Sequence, residues 1–120
     1  MSLPRLVRQW DIFRANLGEE SDLWLLVLSS TETNEILGST LVACEVIPAT
    51  IHGPKASPLV IPADPPATGL PWPAALAVRT LASIPRNCLV SLDGRLEPAS
   101  LRGAALRGVN VLFGQEPWPL

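Results

Sequence analysis

Two apolar runs separated by a polar stretch constrain the fold of this chain more than any other feature. The first covers residues 23–30 and reads L-W-L-L-V-L-S-S, and the second covers residues 41–50 and reads L-V-A-C-E-V-I-P-A-T. A near-continuous apolar run of this length is typical of a strand buried on both faces. Pro48 has no N–H to donate to a sheet ladder, so it marks the end of the second strand. We expect the two runs to form the central hairpin of a small closed β-barrel.

The length and composition indicate one compact domain that covers residues 1–120. Hydrophobic residues make up 48% of the chain and charged residues 17%, which suits a packed core and argues against disorder. The net charge of −2 gives no overall basic field, so any contact with nucleic acid has to be local. No apolar stretch reaches the roughly 20 residues needed to span a membrane, and residues 1–11 lack a signal-peptide core. We therefore expect a cytoplasmic protein with no membrane partner.

The chain has few residues able to hold a metal ion. Two cysteines, Cys44 and Cys88, and a single histidine cannot form a recognisable zinc pattern. Cys44 lies within a strand-like run, which predicts a buried, unreactive thiol. We expect neither a metal nor a cofactor.

Seven short strands and one terminal helix are predicted along the chain. The predicted strands cover residues 10–16, 23–29, 39–48, 59–61 and 74–81, followed by a helical turn at 85–89 and a hairpin of 90–92 with 94–96 around Asp93-Gly94. Thirteen prolines, many of them within residues 54–73, predict a rigid connection, with a ligand for proline-binding modules as the alternative.

The last helix is the clearest of these elements. Pro98 suits the first helical position and Gly114 a C-terminal cap. Gly103 and Gly108 each cost about 1 kcal/mol relative to alanine, unless they permit close approach to the barrel or to a second subunit. The order of elements predicts an α+β, β-rich fold with a C-terminal helix packed on a barrel. The apolar positions of the helix are Leu101, Ala105, Val109 and Leu112.

The order and spacing of these segments resemble the MazF/PemK toxins of the MazF/CcdB superfamily. Q-W-D-I-F-R-A-N-L-G at residues 9–18 is similar to the family's R-G-D-I-Y-x-x-D-L-G, and V-I-P-A-T at 46–50 to its V-x-P-x-T. A-V-R-T-L at 77–81 resembles Q-I-R-T-I, and V-N-V-L-F-G at 109–114 resembles the terminal helix. The resemblance implies a small SH3-like or CcdB-type β-barrel, a homodimer, a cognate antitoxin and metal-independent cleavage of single-stranded RNA by an mRNA interferase.

The resemblance also implies site residues. Thr50 falls on the family's catalytic threonine. Asn34 falls on the asparagine that closes the polar turn, and the resemblance assigns it a contact with RNA. His52, two residues beyond Thr50, has the pKa range of an acid or base near neutral pH. Lys55 and Arg79 are the cations able to meet RNA phosphates. The alternatives are a strand-end hydroxyl bonded to backbone for Thr50 and an ordinary solvated loop at 52–55.

Three departures from the family pattern favour a second reading. The family's catalytic arginine is replaced by Leu23, or by Asp22 if the alignment slips by one residue. Its RNA-contacting glutamine is Ala77 here, and the first turn is acidic, with Glu19 and Glu20 beside Asp22. These replacements favour a non-catalytic barrel that binds protein, either as a CcdB-like inhibitor of DNA gyrase or as a degenerate toxin that only engages an antitoxin.

Overall fold

The computed structural model describes residues 6–49 and 57–115, which form one antiparallel sheet and three α-helices. The strands are β1 Asp11–Ala15, β2 Leu23–Val27, β3 Thr40–Pro48, β4 Ile61–Ala63, β5 Ala74–Pro85 and β6 Leu89–Arg95; the helices are α1 Thr31–Leu37, α2 Pro65–Thr68 and α3 Ala99–Leu112, with a 3-10 turn at Arg86–Cys88. The sheet order is β4-β5-β3-β2-β1-β6. The predicted α+β class with a C-terminal helix is confirmed.

The sheet is open, so the predicted closed barrel is wrong. Within the described ranges β4 and β6 are the two edges and do not pair with each other. The long strand β5 is interrupted where it pairs with β3: two residue steps from Ala43 to Glu45 face five steps from Ala82 to Ala77. A bulge of this kind bends the strand and increases its twist, which curls a sheet without closing it.

The central strands are buried on both faces, as the two apolar runs predict. Side chains alternate along β2, with Leu26 in one core cluster and Leu25 in the other. The first cluster lies between the sheet and α3 and includes Ala105 of that helix, whereas the second includes Leu89 of β6 and Ile84 of β5. Residues from distant strands share the second cluster because the sheet is curved.

Helix α3 packs on the sheet through its small residues. Ala105, Gly108 and Val111 are its buried positions. A Cβ atom at Gly108 would lie 2.3 Å from the carbonyl oxygen of Pro58 and 3.3 Å from Val78. The predicted close approach therefore occurs at Gly108, and it is made to the chain's own fold. No helix within residues 6–49 and 57–115 is long and apolar enough to cross a membrane.

Two short helices are absent from the sequence predictions. The polar stretch between the apolar runs folds as α1, because Ser30 caps it by accepting a hydrogen bond from the N–H of Thr33 and Gly38 ends it at φ 68°. In the proline-rich segment α2 starts at Pro65, since a missing N–H costs nothing in the first turn. The strand predicted at 59–61 lies slightly later, as β4.

The hairpin predicted at Asp93-Gly94 does not exist, because β6 continues through both residues with only a bulge at Asp93. Gly94 serves close packing instead of a turn. A Cβ atom there would lie 2.3 Å from the carbonyl oxygen of Thr68, at the end of α2. A larger residue at this position would push α2 off the edge strand.

A buried carboxylate anchors the entry to β1. Asp11 is 1% exposed, and its Oδ1 lies 2.8 Å from an Nη of Arg95. The other oxygen accepts a hydrogen bond from the backbone N–H of Arg8. The preceding residue, Trp10, has a φ of 78° at the position of the glycine in the family's R-G-D pattern. A left-handed backbone is costly for a side chain of this size, so the surrounding contacts must hold it.

Candidate functional site

The start of β2, the end of β3 and the start of β5 lie together at one end of the sheet. Trp24 pairs with Val46, and Pro48 pairs with Ala74. Just beyond β3, the N–H of Ala49 donates to the carbonyl oxygen of Pro73, 3.0 Å away. The turn between β1 and β2 therefore lies beside the end of β3.

This turn is acidic and is held by its own side chains. The amide of Asn16 donates to the carboxylate of Asp22 at 3.0 Å and accepts from the N–H of Gly18 at 2.8 Å. Glu19 and Glu20 are exposed. The carboxylates oppose an incoming phosphate, so this side of the candidate site disfavours RNA.

An apolar residue occupies the position expected for the catalytic arginine. Leu23 opens β2, pairs with Ala15 and packs against the second core cluster. The guanidinium found at this point belongs to Arg14 on β1, with Nη1 3.7 Å from an oxygen of Asp22. Its Nε is buried and has no hydrogen-bond partner in the described part of the chain. Arg14 is not among the residues predicted for the site, because nothing local to β1 shows how far its side chain reaches.

The position where the family has its RNA-contacting glutamine is also buried and apolar in this chain. Register places Leu25, Glu45 and Ala77 side by side on three neighbouring strands. Ala77 is fully buried and shares a small apolar cluster with Ile47 and Ala75. Glu45, half-buried, is the ionisable side chain of this row. A carboxylate in this row repels phosphate, so the row resembles a core more than an RNA-binding surface.

Asn34 has a structural position. It is 1% exposed, and its amide nitrogen donates to the carbonyl oxygens of Val7 at 2.9 Å and Ser29 at 3.2 Å. Its amide oxygen accepts from the hydroxyl of Ser29. The predicted direct contact with RNA does not fit this burial, because every polar atom of the amide already ties α1 to the N-terminal segment and to β2.

Of the predicted cations, only Arg79 lies within the described residues. Arg79 is exposed on β5, five residues past Ala74 and so roughly 16 Å along the strand from the end of β3. Its side chain has no ion-pair partner among residues 6–49 and 57–115. Thr50, His52 and Lys55 lie outside the described residues, so their predicted roles are neither supported nor contradicted.

The thiol of Cys44 is inert, and the described residues contain no cluster of metal-binding side chains. Burial raises the pKa of the Cys44 thiol to about 12, so this sulfur stays protonated and unreactive at neutral pH. Within 6–49 and 57–115, no three side chains of His, Cys, Asp or Glu gather in a group able to hold a metal ion.

Solved structures of similar shape are bacterial toxins. An endoribonuclease from a mycobacterial species superposes with a TM-score of 0.71, covering 94% of this chain and 95% of that one at 16% identity. The MazF-mt6 toxin of Mycobacterium tuberculosis gives 0.68 over 87% and 96% at 20% identity. MazF in a MazE–MazF crystal structure from Deinococcus radiodurans gives 0.66 over 91% and 96% at 17% identity.

The chain has the fold of the MazF toxins. The match extends over nearly the whole length of both partners, so the likeness concerns the entire domain. At identities of 16–20% it establishes the MazF fold and leaves the chemistry to be argued from the residues. No protein-family model matches the sequence, and a search of curated proteins found no match either.

Proposed function

We propose that this chain is a divergent member of the MazF toxin family that acts in the cytoplasm as the toxin of a toxin–antitoxin pair. The observation that carries the proposal is the near-full-length match to MazF toxins, with a TM-score of 0.71 over 94% of the chain. Another structure with this fold is an endoribonuclease in complex with its cognate antitoxin. By analogy we assign this chain an antitoxin partner, a homodimeric state and single-stranded RNA as substrate.

Metal-independent RNA cleavage needs a base for the 2′-hydroxyl and cations or hydrogen-bond donors for the phosphate. We assign the first task to His52 and the second to Thr50, Lys55 and Arg79. Among these, Arg79 has support in the structure, because it is exposed and unpaired among the described residues. Asn34 keeps only an indirect role, through its hold on α1.

Expression of the chain in a bacterium, with mapping of RNA 5′ ends, tests the proposal. We expect growth arrest and new 5′ ends in the parent chain and their loss in Thr50→Ala and His52→Ala. Thr33→Ala is a matched control, because Thr33 is an exposed threonine on α1. Normal growth and unchanged RNA in cells that contain the folded parent would contradict an active nuclease.

A second candidate is a toxin of the same fold that binds protein without cutting RNA. It is favoured by the row of Leu25, Glu45 and Ala77 and by Leu23 at the start of β2, which replace a cationic and polar surface by an apolar and acidic one. The targets on this reading are DNA gyrase or an antitoxin alone. A supercoiling assay and an antitoxin pull-down test them.

The variant Leu23→Arg separates the two candidates. Leu23 is partly buried at the edge of the second cluster, so an arginine there has a route to solvent. A gain of cleavage in Leu23→Arg would show that the rest of a nuclease site is intact. Arrest of growth without any new RNA 5′ ends, in both the parent and this variant, would establish the protein-binding reading.

A further inference from the structure

The bulge in β5 is built around a single hydroxyl group. Four residues of β5, from 78 to 81, face the one residue Cys44 between the paired positions Glu45–Ala77 and Ala43–Ala82. Extra residues in one strand leave backbone groups of the partner strand without a ladder partner, and such groups are costly when buried.

Thr80 supplies the missing partner. Its Oγ1 accepts a hydrogen bond from the N–H of Glu45 at 2.8 Å and donates one to the carbonyl oxygen of Ala77 at 2.7 Å. The hydroxyl thus bridges β3 and the start of the bulge. Valine has the same shape but can make neither bond, so the exchange Thr80→Val isolates the contribution of the hydroxyl.

The bulge determines where Arg79 points. Its neighbours Val78 and Thr80 are engaged, Val78 in the core under α3 and Thr80 in the bridge. The N–H of Arg79 donates to the carbonyl oxygen of Leu59 at 3.3 Å. The backbone of Arg79 is therefore held from both sides, whereas its side chain is exposed and has no ion-pair partner in the described ranges.

We propose that Thr80 is a positioning residue whose hydroxyl holds the β5 bulge so that Arg79 is presented to the phosphate backbone of single-stranded RNA. The inference rests on the proposed function, since it takes RNA as the ligand of Arg79. A fixed backbone lowers the entropy lost when the guanidinium binds phosphate, which is the general advantage of a preorganised site.

The test is RNA binding by the full chain as a function of salt, measured by fluorescence anisotropy with a labelled single-stranded 2′-O-methyl RNA, which cannot be cleaved. Loss of one charged hydrogen bond in Arg79→Ala should lower affinity about tenfold. It should also reduce the salt slope by about 0.7, the value for one phosphate on a single strand. Thr80→Val should produce most of both effects, and Thr80→Ser should restore both.

A matched control is Thr68→Val, because Thr68 is fully buried, its hydroxyl accepts a bond from the N–H of Leu70, and its carbonyl oxygen packs against Gly94 of the edge strand β6. It should lower stability without changing the affinity of the folded protein or the salt slope. If Thr80→Val does not fold, the same measurements are made in a Gly103→Ala background, which we expect to be more stable.

The double variant Arg79→Ala with Thr80→Val decides whether the two residues act together. It should bind no more weakly than Arg79→Ala alone, because Thr80 acts through the guanidinium. Additive losses, or an unchanged affinity and slope in folded Thr80→Val, would overturn the inference while leaving an RNA-cleaving toxin intact. A parent chain with no affinity for the RNA at low salt would overturn the inference and the RNA-cleaving reading together.

Discussion

The two interior glycines of α3 offer a matched pair of substitutions with opposite expected outcomes. Both lie in the middle of the helix, where glycine is about 1 kcal/mol less favourable than alanine. A Cβ atom at Gly103 would meet nothing within 4 Å, whereas at Gly108 it would lie 2.3 Å from the carbonyl oxygen of Pro58. The same chemical change therefore tests helix propensity at one site and packing at the other.

The magnitudes follow from these contacts. Gly103→Ala should gain the full propensity difference, about 1 kcal/mol, which raises the Tm of a domain this size by roughly 4 °C. Gly108→Ala gains the same amount but forces the helix away from a backbone oxygen that cannot rotate aside. Overpacking of this kind costs about 1–3 kcal/mol, so we expect a net loss of roughly 1 kcal/mol and a lower Tm.

Urea denaturation followed by tryptophan fluorescence measures both effects, since the chain has four tryptophans. The m-value should stay constant, because neither change alters the surface exposed on unfolding. The double variant should show additive changes if the helix shifts only locally. Equal stabilisation by both substitutions would refute the close approach of α3 to Pro58 and with it this packing of the helix.

Three further predictions concern buried polar groups. Asn34→Ala should destabilise the fold by about 2–3 kcal/mol in urea titrations, because the carbonyl groups that bind its amide would lose their hydrogen-bond donor. The RNA affinity of the folded variant should be unchanged; a selective loss of affinity would support the predicted contact of Asn34 with RNA. Asp11→Asn should lower the free energy of unfolding by roughly 2 kcal/mol in the same assay, because Arg95 loses its buried carboxylate partner. A decrease of less than about 0.5 kcal/mol would contradict the ion pair. In thiol labelling near neutral pH, half-buried Cys88 should react first and Cys44 only on unfolding; equal labelling rates would refute the burial of Cys44. Because the pKa of Cys44 rises from 9.0 to about 12 on folding, the free energy of unfolding should decline as the pH rises through that window.

The central sheet could be predicted from the sequence because its signal is redundant. An apolar run that is buried on both faces needs no knowledge of its neighbours, and Pro48 fixed the end of β3 within the run itself. Helix α3 could be predicted for a similar reason, since its apolar spacing and its flanking Pro98 agree. These signals are local, and tertiary contacts reinforce them.

The errors occur where one residue type has two physical uses. Gly94 next to an aspartate is a strong hairpin signal, yet here the missing side chain makes room for the carbonyl of Thr68. Asn34 closes a polar stretch in the sequence, yet its amide is buried and fully bonded. The bridging role of Thr80 depends on a pairing between residues 35 positions apart, which no local pattern reveals.

Leu23, which lies where the resemblance to the MazF/PemK pattern leads us to expect an arginine, is coupled to the core. Leu23 contributes apolar surface to the cluster that holds Phe13 and Leu25, so a guanidinium there would leave that edge of the cluster open to water. Two cations of the described sheet, Arg14 beside Asp22 and Arg79 on the bulge, lie at different places along it. A site built on them would hold RNA at two separated phosphates, an arrangement that favours binding along the strand over charge stabilisation at one scissile bond. RNA affinity without cleavage in the parent chain would therefore contradict the cleavage that we propose, and would show that the leucine at position 23 removes the catalytic step while binding is kept.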